Sequence, residues 1–165
     1  MFRTTRIGMI ASLGLLISIP GATFAAQHHT GYVRSLDDLR TARALLQRAS
    51  NVSTAEGSQD EVSLAISNID GAIAEISKEA PLKGKNAQEP PKVDARLTWS
   101  ARLSTSMRLL DRARLDCSRE KDDSANAGLR SRVLTSIDQA HDRIRVAIDT
   151  INFDYSARNM PTRND

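Results

Sequence analysis

The sequence predicts an all-α protein, an antiparallel four-helix bundle that follows an N-terminal signal peptide. Three observations carry this. Four stretches repeat apolar residues every three or four positions, the spacing of a single helix face. Polar breaks containing Pro and Gly separate them. The composition, 165 residues with 40% apolar and 26% charged side chains, suits one soluble domain around one core.

The leader comes first. Arg3 and Arg6 precede an apolar run from Ile7 to Ile19, which is followed by Pro20, Gly21 and Ala22-Thr23-Phe24-Ala25-Ala26. Basic, apolar and small regions in that order form the pattern of a secretory signal peptide. Cleavage after Ala25 places Thr23 and Ala25 where small side chains are required, so residues 1–25 are read as the leader. The apolar run falls short of the roughly 20 residues that a membrane span requires, and no Cys follows it to carry a lipid. The mature chain is therefore expected in a bacterial periplasm or secreted, with no integral span after cleavage. It keeps 140 residues and a net charge of +1, against +3 for the full chain. The pI of 9.3 is thus partly a property of the leader, and export excludes nucleic acid as a partner.

A bundle over 26–151 follows. The first helix is expected at about 32–49, where Tyr32, Leu36, Leu39, Ala42, Leu45, Leu46 and Ala49 share a face and Ser35 with Asp38 suits a cap. The second, at about 59–80, alternates steps of four and three through Val62, Ile66, Ile69, Ile73, Ile76 and Ala80. Ser58 and Glu61 are spaced as its capping box, and Pro81 stops it. The third, at about 94–118, runs through Leu97, Ala101, Leu103, Met107, Leu110, Ala113 and Cys117. The fourth, at about 125–151, uses Val133, Ile137, Ala140, Ile144, Ile148 and Ile151. Leu82 to Lys92, with Gly84, Pro90 and Pro91, is the longest connection and is expected to cross between two helical hairpins. Residues 152–165 lose the periodicity and are expected as a flexible tail.

The two halves repeat. A shift of 64 pairs Leu39 with Leu103, Leu45 and Leu46 with Leu109 and Leu110, Arg48 with Arg112, and Ala49 with Ala113. A shift of 68 pairs Ile69-Asp70-x-Ala72 and Ile76 with Ile137-Asp138-x-Ala140 and Ile144. Either a duplicated αα-hairpin or two seams made alike by the same packing requirement explains this, and both lead to the same bundle.

The segments Tyr32-x-x-x-Leu36-x-Asp38-Leu39-Arg40-x-Ala42-Arg43, Ile69-Asp70-x-Ala72-Ile73-x-Glu75-Ile76, Pro90-Pro91-x-x-Asp94 and Gly128-Leu129-Arg130-x-Arg132 resemble a group of small exported bacterial four-helix proteins with no established function. The resemblance covers most of the mature chain and implies the fold. It transfers no functional residue.

Two sets of residues suit metal. Cleavage after Ala25 starts the chain at Ala26-Gln27-His28, where the α-amine, two amide nitrogens and the imidazole offer four nitrogens in a plane, a set for Cu(II) or Ni(II). Within the fourth helix, Asp138 and His141 stand three apart, the spacing that bundle metal sites use. The matching positions in the second helix are Asp70 and Ile73, so a second His is missing, and a surface ion pair to a nearby Arg is the competing reading. Beyond copper or nickel no cofactor is expected. The single Cys excludes a disulfide framework, a thiolate zinc site and covalent haem attachment.

The remaining charge is uneven. The third helix holds Arg96, Arg102, Arg108, Arg112 and Arg114, and the second holds Asp60, Glu61, Asp70, Glu75 and Glu79. Adjacent packing of these two helices is expected to pair their flanks. There is no strand-to-helix nucleophile turn, no Gly-rich phosphate loop, and no His set beside Ser or Cys. The chain is accordingly expected to be non-enzymatic and to act by binding an envelope protein or surface. A homodimer through a residual apolar stripe is compatible with the same patterning.

Overall fold

The computed structural model describes residues 30–50, 57–79, 91–122 and 127–158. These form four helices, α1 (Thr30–Ser50), α2 (Ser58–Glu79), α3 (Trp99–Arg119) and α4 (Leu129–Arg158), and the described residues contain no strand. The leader, residues 1–25, lies outside them.

Each helix buries one stripe. All seven α1 positions of the expected face are buried, and Ser35 joins them. On α2, Val62, Ile69 and Ile76 are buried, but Ala65 and Ala72 take the central places while Ile66 and Ile73 pack at the edge. On α3 the buried set is Leu103, Ser106, Leu109, Leu110, Ala113 and Cys117, with Met107 at the margin, and Leu97 packs against the core from just before the helix. On α4, Val133, Ile137, Ala140 and Ile144 are joined by Leu129 and Ala147. At 1.5 Å per residue the helices are about 32 to 45 Å long.

Cross-helix contacts give the topology. Arg102 reaches the Arg48 carbonyl, Ser106 the Ala42 carbonyl, and Glu120 the Gly31 amide, so α3 runs antiparallel to α1. Arg132 meets Glu75 and Arg143 meets Glu61, so α4 runs antiparallel to α2. Arg43 with Asp70, and Arg114 with Asp138, set the other two neighbouring pairs, again antiparallel. The order is up-down-down-up. The chain leaves α2 at one end of the bundle and returns at the other, where the Val93 carbonyl accepts from Arg48. The end of α2 and the start of α3 thus lie at opposite ends of the bundle, and the diagonal pairs α1–α4 and α2–α3 make no close backbone approach.

The close pairs are α1 with α3 and α2 with α4. Small residues on both seams allow it: Ala42, Ser106 and Ala113 on one, Ala65, Ala72, Ala140 and Ala147 on the other. Hydrogen bonds from Ser106 Oγ to the Ala42 carbonyl (3.3 Å) and from Ser35 Oγ to the Ala113 carbonyl (3.0 Å) record how near the α1 and α3 backbones lie.

The repeat has a structural counterpart. Under the shift of 64, buried Leu39, Ala42, Leu45, Leu46 and Ala49 fall on buried Leu103, Ser106, Leu109, Leu110 and Ala113; under 68, Ala65, Ile69, Ala72 and Ile76 fall on Val133, Ile137, Ala140 and Ile144. The Asp38–Arg112 and Arg48–Arg102 contacts exchange under the first shift, and Ala42–Ser106 maps onto itself. A local twofold axis therefore passes between Ala42 and Ser106 and relates one hairpin to the other.

Helix ends differ from the sequence expectation in four places. α1 begins at Thr30, which puts Ser35 and Asp38 inside the helix rather than at its cap. Gly57, at φ 86°, stands before α2 and its carbonyl accepts from the Glu61 amide, while the Glu61 carboxylate reaches Arg143 instead of closing a capping box. α3 starts at Trp99 because Thr98 caps it through the Ala101 amide, and Asp94 binds the Arg96 amide in the preceding turn. α4 starts at Leu129, after Gly128 at φ 77°, and continues to Arg158, so residues 152–158 are helical. No Pro or Gly intervenes before Pro161, and Ser156–Asn152 and Arg158–Asp154 contacts stabilise the last turns.

Candidate functional site

The Asp138 and His141 pair lies on the flank of α4 that faces α3. Asp138 Oδ1 accepts a 2.6 Å hydrogen bond from Arg114 Nε, and His141 Nε2 sits 3.6 Å from Asp111 Oδ1. Each side chain thus faces a partner on α3. The bond to Asp138 holds the Arg114 guanidinium above its usual pKa. Among the described residues no group of three or more His, Cys, Asp or Glu side chains gathers as a metal centre. Asp70, the repeat counterpart of Asp138, behaves alike: Arg43 on α1 binds both of its oxygens, Nε to Oδ1 and Nη2 to Oδ2. The repeated Asp thus ties its helix to the neighbour in each half.

Glu75, the remaining carboxylate considered for a dinuclear set, is taken by Arg132 (2.8 Å) and by Lys78 (3.1 Å). Hydrogen bonds from Arg132 and then Lys78 lower its pKa. Its role is to join α2 to α4.

Among the described residues the expected pairing of acidic α2 with Arg-rich α3 does not occur, because those helices are diagonal. The acids of α2 meet Arg residues of α1 and α4, through Asp70–Arg43, Glu61–Arg143 and Glu75–Arg132. The Arg residues of α3 meet Asp38 of α1 and Asp138 of α4. Among the described residues Arg102 makes no ion pair; it donates to the carbonyls of Arg48 and Ala95 and so closes the C-terminal end of α1.

Asp38 shows what burial does to such a pair. Its side chain is 16% exposed and Arg112 is 65% exposed. Desolvation raises the Asp38 pKa even though the bond and charge of Arg112 oppose it. Here burial outweighs the 2.5 Å contact, so Arg112 offsets only part of the cost of burying the carboxylate.

Cys117 lies toward the end of the bundle where α1 begins and α3 finishes. Its Sγ donates to Ser35 Oγ at 3.1 Å, and the single Ser35 hydroxyl proton is shared between the Gly31 carbonyl at 2.8 Å and the Ala113 carbonyl at 3.0 Å. Burial pushes the thiol up to about 11, against the opposing Ser35 bond and with small additions from Asp116 and Glu120. A thiol held neutral in this way is a poor nucleophile. Beside it, Asp122 accepts the Gly128 and Arg130 amides at the start of α4 and the Tyr32 hydroxyl at 3.4 Å. Burial, followed by the Asp122 charge, raises the Tyr32 phenol well above its ordinary value. Sequence patterning does not mark this cluster. Its one visible sign is Ser35, a polar residue on an otherwise apolar stripe.

The outward surfaces differ. Between α2 and α4 runs a groove of about 340 Å³ lined by Leu64, Asn68, Gln139, Asp142, Arg143 and Val146. Leu64 is 45% exposed and Val146 42%. On the opposite side, Arg108, Leu109 and Arg112 line a smaller groove of about 140 Å³ on α3. Phe153 and Tyr155 project from the last turns of α4 into solvent. No helix among the described residues is long and apolar enough to cross a membrane. The N-terminal triplet Ala26, Gln27 and His28 lies outside the described residues.

Comparison with protein-family models, with curated proteins and with solved structures finds no match for this chain.

Proposed function

We propose that this chain is an exported helical-bundle protein of the bacterial envelope that works by binding, without catalysing a reaction. The observation that carries the reading is where its reactive groups are placed. Asp70, Asp138, Glu75 and Asp38 each sit against an Arg of a neighbouring helix, and Cys117 is buried as a neutral thiol. These groups hold helices together. The surface meanwhile offers features that suit docking: the Leu64–Val146 groove, the Phe153 and Tyr155 side chains, and the exposed Arg residues of α3. Export rests on the leader pattern of residues 1–25.

Fractionation with mass spectrometry, combined with photo-crosslinking from a residue placed at Phe153, tests the reading. The expected result is a mature chain beginning at Ala26 in the envelope fraction, carrying a defined crosslinked component. Retention of the uncleaved chain in the cytoplasm sinks it, as does catalytic turnover that survives purification and is lost on mutating a described side chain.

A further inference from the structure

The outward stripe of α2, beside α4, is unlike the rest of the surface. Between Asp60 and Lys78 the outward stripe of α2 reads Ser63, Leu64, Ser67, Asn68, Gly71 and Ala74, without a charge. The facing part of α4 adds Thr135, Gln139 and Val146, interleaved with the exposed charges of Arg132, Asp142 and Arg143. The opposite face, made by α1 and α3, exposes Arg34, Arg108, Arg112 and Arg119. Leu64 and Val146 supply an apolar centre, the outward stripe of α2 beside it carries no charge, and Asp142 and Arg143 of α4 stand at its edge, the apolar core and polar rim of a protein–protein interface.

We propose that the outer α2–α4 face is a homodimer interface, on which a second copy of this chain docks about a twofold axis through the Leu64–Val146 groove. The proposal rests on the binding role above and names one partner for it. Self-complementarity selects a second copy. Asn68 and Gln139 each carry an amide with both donor and acceptor, so identical faces satisfy one another. Asp142 and Arg143 line the same groove side by side. A twofold axis sets the carboxylate of one copy opposite the guanidinium of the other, and does so twice, as an isologous contact requires. Arg143 donates to Glu61 through Nη1 alone, at 3.2 Å to the nearer oxygen, which leaves further N–H groups for a second carboxylate.

Size agrees with this. A face two helices wide and one α2 helix long covers roughly 650 Å² per copy, or about 1,300 Å² in total, inside the range of specific interfaces. Gly71 fits the same picture. A Cβ there would meet only Ser136 Oγ, at 3.9 Å, so packing within one chain does not demand glycine at this mid-helix position. A helix arriving from outside does benefit from the missing side chain.

The test is sedimentation of the full exported chain at roughly 1 to 100 μM, a span that brackets micromolar dissociation. The wild-type chain is expected to be a dimer. Leu64→Glu with Val146→Glu should weaken dimerisation by about tenfold or more, with helical content by circular dichroism unchanged. Leu115→Glu, on the outward side of α3, should leave the dimer intact. Asp142→Arg and Arg143→Asp should each lose self-association and recover it when mixed, because the mixture restores opposite charges. A monomeric wild type overturns the proposal, and so does a dimer that the groove variants leave unchanged or that Leu115→Glu weakens equally. Because purified chain suffices, a dimer found in protein that fails to reach the envelope counts against export alone, and a monomer that still crosslinks to an envelope component counts against the dimer alone.

Discussion

Cys117 donates its thiol proton to Ser35 across the α1–α3 seam, 3.1 Å from sulfur to oxygen, and both residues are fully buried. The pair closes a polar relay that ends on the Gly31 and Ala113 carbonyls, so a hydroxyl inside an apolar core has partners on every side. It also keeps the thiol protonated. With a folded pKa of about 11 against an ordinary 9.0, the neutral thiol contributes stability that is complete below pH 9 and is lost as pH rises through about 11. Denaturant unfolding followed from pH 8 to 11 should show this loss, and Cys117→Ala should remove the part that begins near pH 9 while leaving the part that begins near pH 10, where the Tyr32 phenol ionises in the unfolded chain. A thiol reagent near neutral pH should label the protein only after unfolding.

Gly31 is fixed by the neighbouring helix. A Cβ on it would stand 2.7 Å from the Asp116 carbonyl oxygen, a backbone atom of α3, as well as against the Glu120 side chain. Gly31→Ala should therefore part the ends of α1 and α3 and cost about 1 to 3 kcal/mol. Thermal unfolding measures it, and an unchanged melting temperature would contradict the close approach.

Asp38 and Arg112 should respond unequally. Removing Arg112 leaves a mostly buried carboxylate without its counter-charge, whereas Asp38→Asn removes the charge itself and leaves an exposed guanidinium. Arg112→Ala is expected to destabilise by about 1 to 3 kcal/mol, and Asp38→Asn by distinctly less. Denaturant midpoints of the two variants and of the double variant give the comparison. Equal costs would mean that burial does not dominate at Asp38.

The mature N-terminus makes a separate prediction. A chain that begins Ala26-Gln27-His28 should bind one Cu(II) with a square-planar visible spectrum, and His28→Ala should abolish it. Titration of correctly processed protein checks this. Asp138→Ala, which breaks only the tie to Arg114, should leave that spectrum unchanged.

Much of the architecture is legible in the residues alone. Helix periodicity identifies every apolar position of the α1 face, because Tyr32, Leu36, Leu39, Ala42, Leu45, Leu46 and Ala49 repeat at a spacing only a helix brings to one side. The order of the four helices and the repeat between halves are read from the same spacing. Helix ends are less legible. Thr98 rather than Asp94 caps α3, a choice made by which oxygen reaches the Ala101 amide, and α4 outlasts its last strongly apolar turn.

Which helix neighbours which was decided only in three dimensions. Periodicity fixes the direction a helix turns inward but does not name its partner, and a long Arg or Glu side chain can reach a helix on either flank. The opposite charges of α2 and α3 suggested adjacency, yet the small residues along the α1–α3 and α2–α4 seams drew those pairs together and left α2 and α3 across the diagonal. Close packing over a whole seam outweighs salt-screened surface pairs worth up to about 1 kcal/mol each. Four amphipathic helices and most of their apolar stripes follow from residue spacing alone, because periodicity is a local property; only packing in three dimensions assigns Asp138 to Arg114, sets Ser35 in the core, and leaves a groove with Leu64 and Val146 at its centre and Asp142 and Arg143 in its wall facing outward between α2 and α4.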